Sequence, residues 1–183
     1  MNNTTGSNNV AIGVSALITN TTGGSNTALG TQSLEDNTTG NNNVAVGNGC
    51  LKEASTASQN TFVGGNAGDS ITTAHNNAGL GFLAGAGITT GVQNVAIGSQ
   101  ALEVNTTPGN NVAVGFETLK AYGSTGGSGG NTAVGSQALH DVTGGIFNVA
   151  VGAFALDSLT TASRTTACGF SAGGGITTGE NNT

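Results

Sequence analysis

Histidine, cysteine and carboxylate side chains are the groups in this chain that could do chemistry, and they are few. The 183 residues include two histidines, two cysteines and nine acidic residues. His75 and His140 lack the spaced His or Cys partners that a zinc site requires. The acidic residues stand singly, apart from Glu35 and Asp36, without the spacing of a calcium-binding loop. We therefore predict no metal site and no cofactor.

Nucleophilic and phosphate-binding chemistry is not indicated either. Cys50 and Cys168 lie about seven repeats apart, too far for a disulfide, and both are typical of small apolar filler residues. The many glycines lack the strand-to-helix setting or the Gly-Lys pair of a phosphate-binding loop. No set of titratable residues converges at one point of the repeat, so we expect no enzyme activity.

Charge excludes further classes of partner. The net charge is −6, and Lys52, Lys120 and Arg164 are the only Lys and Arg residues. Three cations cannot form the positive surface that a nucleic-acid backbone needs. No apolar run approaches the roughly 20 residues of a membrane span, and no basic amphipathic helix is predicted. We expect neither nucleic-acid binding nor membrane insertion by this segment.

The elements that position all of these groups come from one short repeat. The peptide from Asn43 to Gly47 recurs with conservative changes along the whole chain. Its closing glycine returns every 17 residues, except for one interval of 20 residues. A fixed period of this length is typical of a solenoid. We predict an all-β, parallel β-solenoid of about ten 17-residue turns, a single array over residues 1–183. The repeat glycines are Gly13, Gly30, Gly47, Gly64, Gly81, Gly98, Gly115, Gly135, Gly152 and Gly169.

Positions are numbered here from the repeat glycine, and a column is the set of residues at one position. Columns −3 and −1 are almost entirely apolar or Thr, and column −2 is Ala in eight of ten turns, with Phe62 and Gly79 as exceptions. Alternate residues of a strand share a face. We expect columns −3 and −1 to face the chain's own core. The Ala column should then form a smooth stripe against which another chain packs.

Other columns have structural interpretations. Column −4 is Asn in nine turns, which predicts a ladder of amide hydrogen bonds between turns rather than a ligand site. The repeat glycine predicts a corner with positive φ or close backbone approach. An Ala-Leu pair usually occupies columns +3 and +4. Where Gly68, Gly85 or Gly173 replaces the Leu, an Ile follows three residues later, which indicates a core filled at every level.

The remainder of each turn is a polar linker. It lengthens between Gly123 and Gly130, where the three-residue insertion falls, and we expect a mobile loop bulging from one side. Both ends of the chain fall inside a repeat, so we expect an excerpt of a longer fibrous protein. Surface aromatic residues are the predicted recognition contacts, with coverage of gaps between chains as the alternative. These residues are Phe82, Phe116, Tyr122, Phe154 and Phe170.

The repeat also has a family resemblance. The element from Asn9 to Gly13, like that from Asn94 to Gly98, resembles the head repeats of trimeric autotransporter adhesins. The longer form from Thr38 to Leu51 resembles the repeat arrays of phage tail fibres and related fibrous adhesins. The likeness covers essentially the whole chain, with a longer period than in the adhesin heads. It implies a left-handed β-roll from each chain, three of them packed about a common axis.

The expected function follows from this resemblance, and the expected association follows also from the size of one turn. One turn has only about five apolar positions, set against an entropy cost of roughly 1 to 2 kcal/mol per ordered residue, so association must add burial. We expect a homotrimeric structural and adhesive module, the shaft or head of an extracellular surface adhesin or a virion tail fibre. Its partner would be a cell-surface receptor such as a glycan. The alternative is an ice-binding β-solenoid, suggested by one threonine column, although adjacent threonines put only one per turn on a surface. That column includes Thr22, Thr39, Thr73, Thr90 and Thr107.

Overall fold

The computed structural model describes residues 3–123 and 129–183 and confirms a β-solenoid with one strand per turn. Its ten three-residue strands form a single parallel sheet in sequence order. No helix occurs in the described residues. Most of the predicted loop, residues 124–128, lies outside the described part of the chain. The strands are β1 (Val10–Ile12), β2 (Thr27–Leu29), β3 (Val44–Val46), β4 (Thr61–Val63), β5 (Ala78–Leu80), β6 (Val95–Ile97), β7 (Val112–Val114), β8 (Thr132–Val134), β9 (Val149–Val151) and β10 (Thr166–Cys168).

The register keeps every column aligned through the stack. Ala28 pairs with Ala45, and the flanking residues of each strand pair in the same way, including across the 20-residue interval. Backbone bonds also join successive turns outside the strands: Leu17 N–H donates to Ser33 O at 3.0 Å, and Thr21 N–H donates to Thr38 O at 3.0 Å. Each turn is therefore hydrogen-bonded to the next around most of its perimeter.

The predicted asparagine ladder is present. The Asn43 side-chain oxygen accepts from the backbone N–H of Asn60 at 3.1 Å, and its Nδ2 donates to Ala57 O at 2.7 Å. The same pattern recurs from Asn9 to Asn148, and Thr165 N–H donates to Asn148 Oδ1 at 2.9 Å. Because these side chains satisfy buried backbone groups in neighbouring turns, the column is structural.

The repeat glycine is required for both predicted reasons. Gly47 has φ of 140°, a region that side chains other than glycine rarely adopt. A Cβ at this position would lie 2.3 Å from the carbonyl oxygen of Gly64 in the next turn. Any side chain would push the turns apart.

Three further corners per turn adopt the left-handed conformation, which the sequence pattern did not predict. They occupy columns +2, +4 and +12, as in Ser15 (φ 59°), Leu17 (φ 51°) and Ser25 (φ 58°). A left-handed residue other than glycine costs roughly 1 to 2 kcal/mol. At column +4 the cost is offset because the leucine side chain is fully buried.

The two sides of the strands are the reverse of our prediction. Column −2 is buried in every turn except the two terminal ones, so its alanines pack inside the chain's own turn, as Ala45 and Ala96 do. Columns −3 and −1 point outward, with Ile12 60% and Leu80 52% exposed. The narrow interior is the reason, because it already holds the column +4 leucines and leaves room only for a small side chain opposite them.

Phe62 shows how narrow that interior is. It stands in the alanine column and is fully buried. A Cβ at Gly79, its neighbour in the column, would lie 2.3 Å from the ring, and a Cβ at Gly68 or Gly85 would lie 3.0 Å from it. Ile71 and Ile88 are fully buried, which confirms the predicted compensation. The exceptional Phe and three glycines thus form one packing unit.

Candidate functional site

An apolar strip runs along the whole sheet on its outer side. We call columns −3, −1 and +1 the outer sheet face; none of its residues carries a charge. Val10, Leu29, Ile97 and Val151 are among its exposed members. Monomeric proteins rarely expose a contiguous apolar patch of this kind without an interaction that covers it. This face is the first candidate functional surface.

Three predicted aromatic contacts lie on the rim of the outer sheet face. Phe82, Phe116 and Phe170 all occupy column +1, directly after the glycine corner, and are 55%, 50% and 77% exposed. Phe154 lies one column further along and is half-buried. Its ring contacts Phe170 edge to face, with centroids 5.8 Å apart and planes at 78°. Two of the aromatics therefore meet across successive turns.

Tyr122, the fifth predicted contact, is wrong as a surface residue, because its side chain is fully buried. It occupies column +7, the interior position that holds Ile71, Ile88 and Leu159 in other turns. Column alignment was the signal that could have placed it. In contrast, Phe147 is 50% exposed and was not predicted, since it stands in a column that is polar in most turns.

Charged residues collect on a second surface. Eight of the nine acidic residues fall in columns +2, +5 and +6, which we call the acidic edge. Lys120 bridges Glu117 at 2.5 Å and Glu103 at 3.5 Å, and Gln137 donates to Glu117 at 2.8 Å. The hydrogen bond from Lys120 lowers the pKa of Glu117, and the same bond raises the pKa of Lys120. These contacts join side chains of three successive turns.

An open groove of about 270 Å³ lies on the acidic edge near the C-terminal end of the stack. His140 and Asp141 are adjacent on its wall, with Nδ1 and Oδ1 2.6 Å apart. Half-buried Phe154 supplies an apolar wall. The lining is Gln137, His140, Asp141, Phe154 and Asp157. The groove combines one aromatic ring with several hydrogen-bonding groups, which makes it the second candidate site.

The threonine linkers form two distinct columns. In column +8 the hydroxyl donates to a carbonyl of the next turn, as Thr21 does to Thr38 O at 3.0 Å. In column +9 the side chain is exposed, as in Thr22, Thr39 and Thr90. The exposed column is the one named above as a possible ice-binding array.

The buried thiol of Cys50 is not a reactive centre. Burial raises the pKa of the Cys50 thiol to about 12, which keeps it protonated and unreactive. Cys168 is exposed, and both cysteines are free. Among the described residues, no group of three or more His, Cys, Asp or Glu side chains is placed to hold a metal ion. The described residues also contain no helix with the length and hydropathy needed to cross a membrane.

Comparison of the chain with protein-family models, with curated proteins and with solved structures finds no match.

Proposed function

We propose that this chain is a structural and adhesive module of a homotrimeric extracellular fibre, the shaft or head of a surface adhesin or phage tail fibre. The outer sheet face is the observation that carries the proposal. Its column −1 is Val, Ile, Leu or Cys in every turn, and each half-exposed Val, Ile or Leu that became buried would add about 1 kcal/mol. A surface this long is suited to a partner of equal length.

A second copy of the chain fits this face better than an unrelated partner. Charge is segregated, because eight of nine acidic residues lie on the acidic edge and none on the outer sheet face. Copies with net charge −6 can therefore bring their outer faces together without opposing carboxylates. Three copies about one axis, each a left-handed roll, is the arrangement that the sequence resemblance implies.

Light scattering at micromolar concentration tests the association. We expect about three times the 17.5 kDa mass of one chain. Leu80→Asp combined with Ile97→Asp should reduce that mass, since both side chains are exposed on the outer sheet face. Ser15→Asp, a change at the +2 corner, is the matched control and should leave the mass unchanged. A folded wild-type monomer would overturn the trimer.

The adhesive role has a separate test. A glycan array probed with the purified protein should show bound glycans, and replacing Phe82, Phe116 and Phe154 by serine should reduce the signal. Binding that survives these replacements would mean that the aromatics only cover gaps between chains. An array without any bound glycan would leave a spacer role for this segment.

Ice binding is a second candidate, favoured by one observation. The column +9 threonines are exposed and repeat once per turn, as at Thr22, Thr39, Thr73 and Thr90. Against it, the neighbouring column +8 hydroxyls donate to backbone carbonyls of the next turn. Only the single row of column +9 threonines is then left to contact ice. An ice-growth assay decides: arrest of crystal growth by the wild type, lost on Thr39→Val and Thr73→Val, would favour this function over adhesion.

A further inference from the structure

The groove on the acidic edge has an unusual balance of hydrogen-bonding groups. Asp157 Oδ1 accepts from the backbone N–H of Ser158 at 3.0 Å, and Asp141 Oδ1 lies 2.6 Å from His140 Nδ1. Gln137 uses its Nε2 to donate to Glu117 at 2.8 Å. Within the described residues, the second oxygen of each carboxylate and the Gln137 oxygen have no protein partner. The free groups of the groove are thus mostly acceptors.

Its aromatic side adds a second attraction for positive charge. Phe154 lines the groove, and exposed Phe170 stands against it at 78° and 5.8 Å. The face of an aromatic ring attracts cations, by about 0.5 to 1 kcal/mol at an exposed site. No lysine or arginine is among the lining residues to compete for the ring or the carboxylates.

We propose that this groove binds an organic ammonium group, either a quaternary ammonium or the protonated amine of an amino sugar. The ammonium would lie against Phe154 and between the carboxylates of Asp141 and Asp157. Free acceptors require a ligand that brings donors or positive charge, and an anionic ligand such as an acidic sugar would meet two like charges. A bare metal ion is disfavoured, because no three-residue His, Cys, Asp or Glu set assembles in the described part of the chain.

If the chain is an adhesive module, the ammonium group belongs to its receptor, so the biological role of the groove rests on the proposed function. Binding of the ammonium group itself does not depend on that function. The groove's lining residues lie in columns +2, +5 and +6, outside the outer sheet face. Loss of the site would therefore leave the mass measured by light scattering unchanged. The binding test and the light-scattering test can therefore fail independently of each other.

Aromatic NMR with labelled phenylalanine tests the site in the whole protein, since the chain has only six phenylalanines to resolve. The probes are choline and glucosamine, each paired with an uncharged counterpart: dimethylbutanol, the carbon isostere of choline, and N-acetylglucosamine. We expect the charged probes to shift the Phe154 and Phe170 signals while the buried Phe62 signal stays in place. A response to choline alone indicates a quaternary ammonium, and a response to glucosamine alone indicates an amino sugar.

Matched variants locate the site. Asp157→Asn and Phe154→Leu should each weaken binding about two- to fivefold. Leu83 occupies the same column with φ of 57°, so leucine is compatible with the Phe154 backbone. Asp36→Asn and Phe147→Leu, changes outside the groove lining and outside the predicted aromatic contacts, should have no effect. Equal shifts from a charged probe and its uncharged counterpart, or no shift at millimolar probe, would overturn the proposal.

Discussion

The inner and outer sides of the same strands carry opposite kinds of residue. On the inner side each strand presents one residue, usually alanine, and it is buried in every turn except the two terminal ones. On the outer side most strands present two larger residues, such as Val95 and Ile97, that remain partly or mostly exposed; β4, with Phe62 inside, is the exception. Size and burial are therefore inversely related across the sheet, because the interior is already filled by the column +4 leucines.

This contrast shows what limits a small solenoid turn. The interior of a turn has room for little more than an alanine side chain from the strand. The larger Phe62 fits only because three glycines lie beside it. The larger outer side chains are only partly buried within the single chain. They become useful when another surface covers them, which is why the contrast bears on association as well as on folding.

The largest effect should come from placing a charge on each side of one strand. Ala96→Asp buries a carboxylate without a partner and should cost more than about 4 kcal/mol, enough to unfold the chain. Ile97→Asp, one residue along, points outward and should leave the β-structure intact while lowering the mass in solution. Circular dichroism and light scattering on both variants check the pair. If Ile97→Asp unfolded as fully as Ala96→Asp, the two sides would not differ as described.

The fold was predictable from the sequence because its signals repeat. One glycine per turn marks the corners, and the column −4 asparagines mark the ladder. The orientation of the strands was not predictable from alternation alone, since a period of two defines the two faces but not which is inner. The exceptions Phe62 and Gly79, successive in one column, were the available clue. A large residue beside a glycine indicates a crowded interior rather than a free surface.

The candidate sites were only partly predictable. The column pattern correctly placed Phe82, Phe116 and Phe170 on the surface. Tyr122 was misplaced because its position was not compared with the same column in other turns. The acidic residues were scattered along the chain, yet the turn brings eight of nine to one edge. The groove brings Gln137, Asp141 and Asp157 together on one edge, and the left-handed corners at columns +2 and +4 of this edge were not indicated by the sequence.

A second prediction concerns the one large residue on the inner side. Phe62→Ala should destabilise the protein by about 3 to 5 kcal/mol, because it leaves a cavity beside Gly68, Gly79 and Gly85. Adding Gly68→Leu should recover part of the loss, since leucine stands at column +4 in most turns with φ near that of Gly68. Urea unfolding of the single and double variants measures the coupling. Strictly additive losses would contradict the packing unit.

A third, smaller effect is expected at the edge of the inner side, in the asparagine ladder. Asn43→Ala leaves the backbone N–H of Asn60 and the carbonyl of Ala57 without their partner and should cost about 2 to 4 kcal/mol. Asn48, exposed on the outer sheet face, is the control; Asn48→Ala should change the free energy of unfolding by less than about 0.5 kcal/mol. If both variants lowered the free energy of unfolding by similar amounts, the asparagine ladder would have no special role in stability.

The smallest effects should come from charges outside the core, and they should have opposite signs. Burial raises the pKa of Asp69 above its ordinary value of 3.8, and Lys52 opposes the shift. Stability therefore falls as pH rises through the window just above 3.8, so Asp69→Asn should stabilise the protein at neutral pH. Because the carboxyl is largely solvated, we expect a gain of about 0.5 kcal/mol or less, vanishing near pH 3.

Glu117 provides the opposite case on the same acidic edge. The hydrogen bond from Lys120 lowers the pKa of Glu117 below its ordinary value of 4.5, so its contribution is present above that pH and is lost as pH falls through the lower, folded-state pKa. Glu117→Gln should therefore reduce the melting temperature at neutral pH and leave it unchanged in strong acid. Melting curves of the two variants at neutral pH and at about pH 3 separate the cases. If both variants shifted the melting temperature in the same direction at neutral pH, the local environments of Asp69 and Glu117 would not explain these effects.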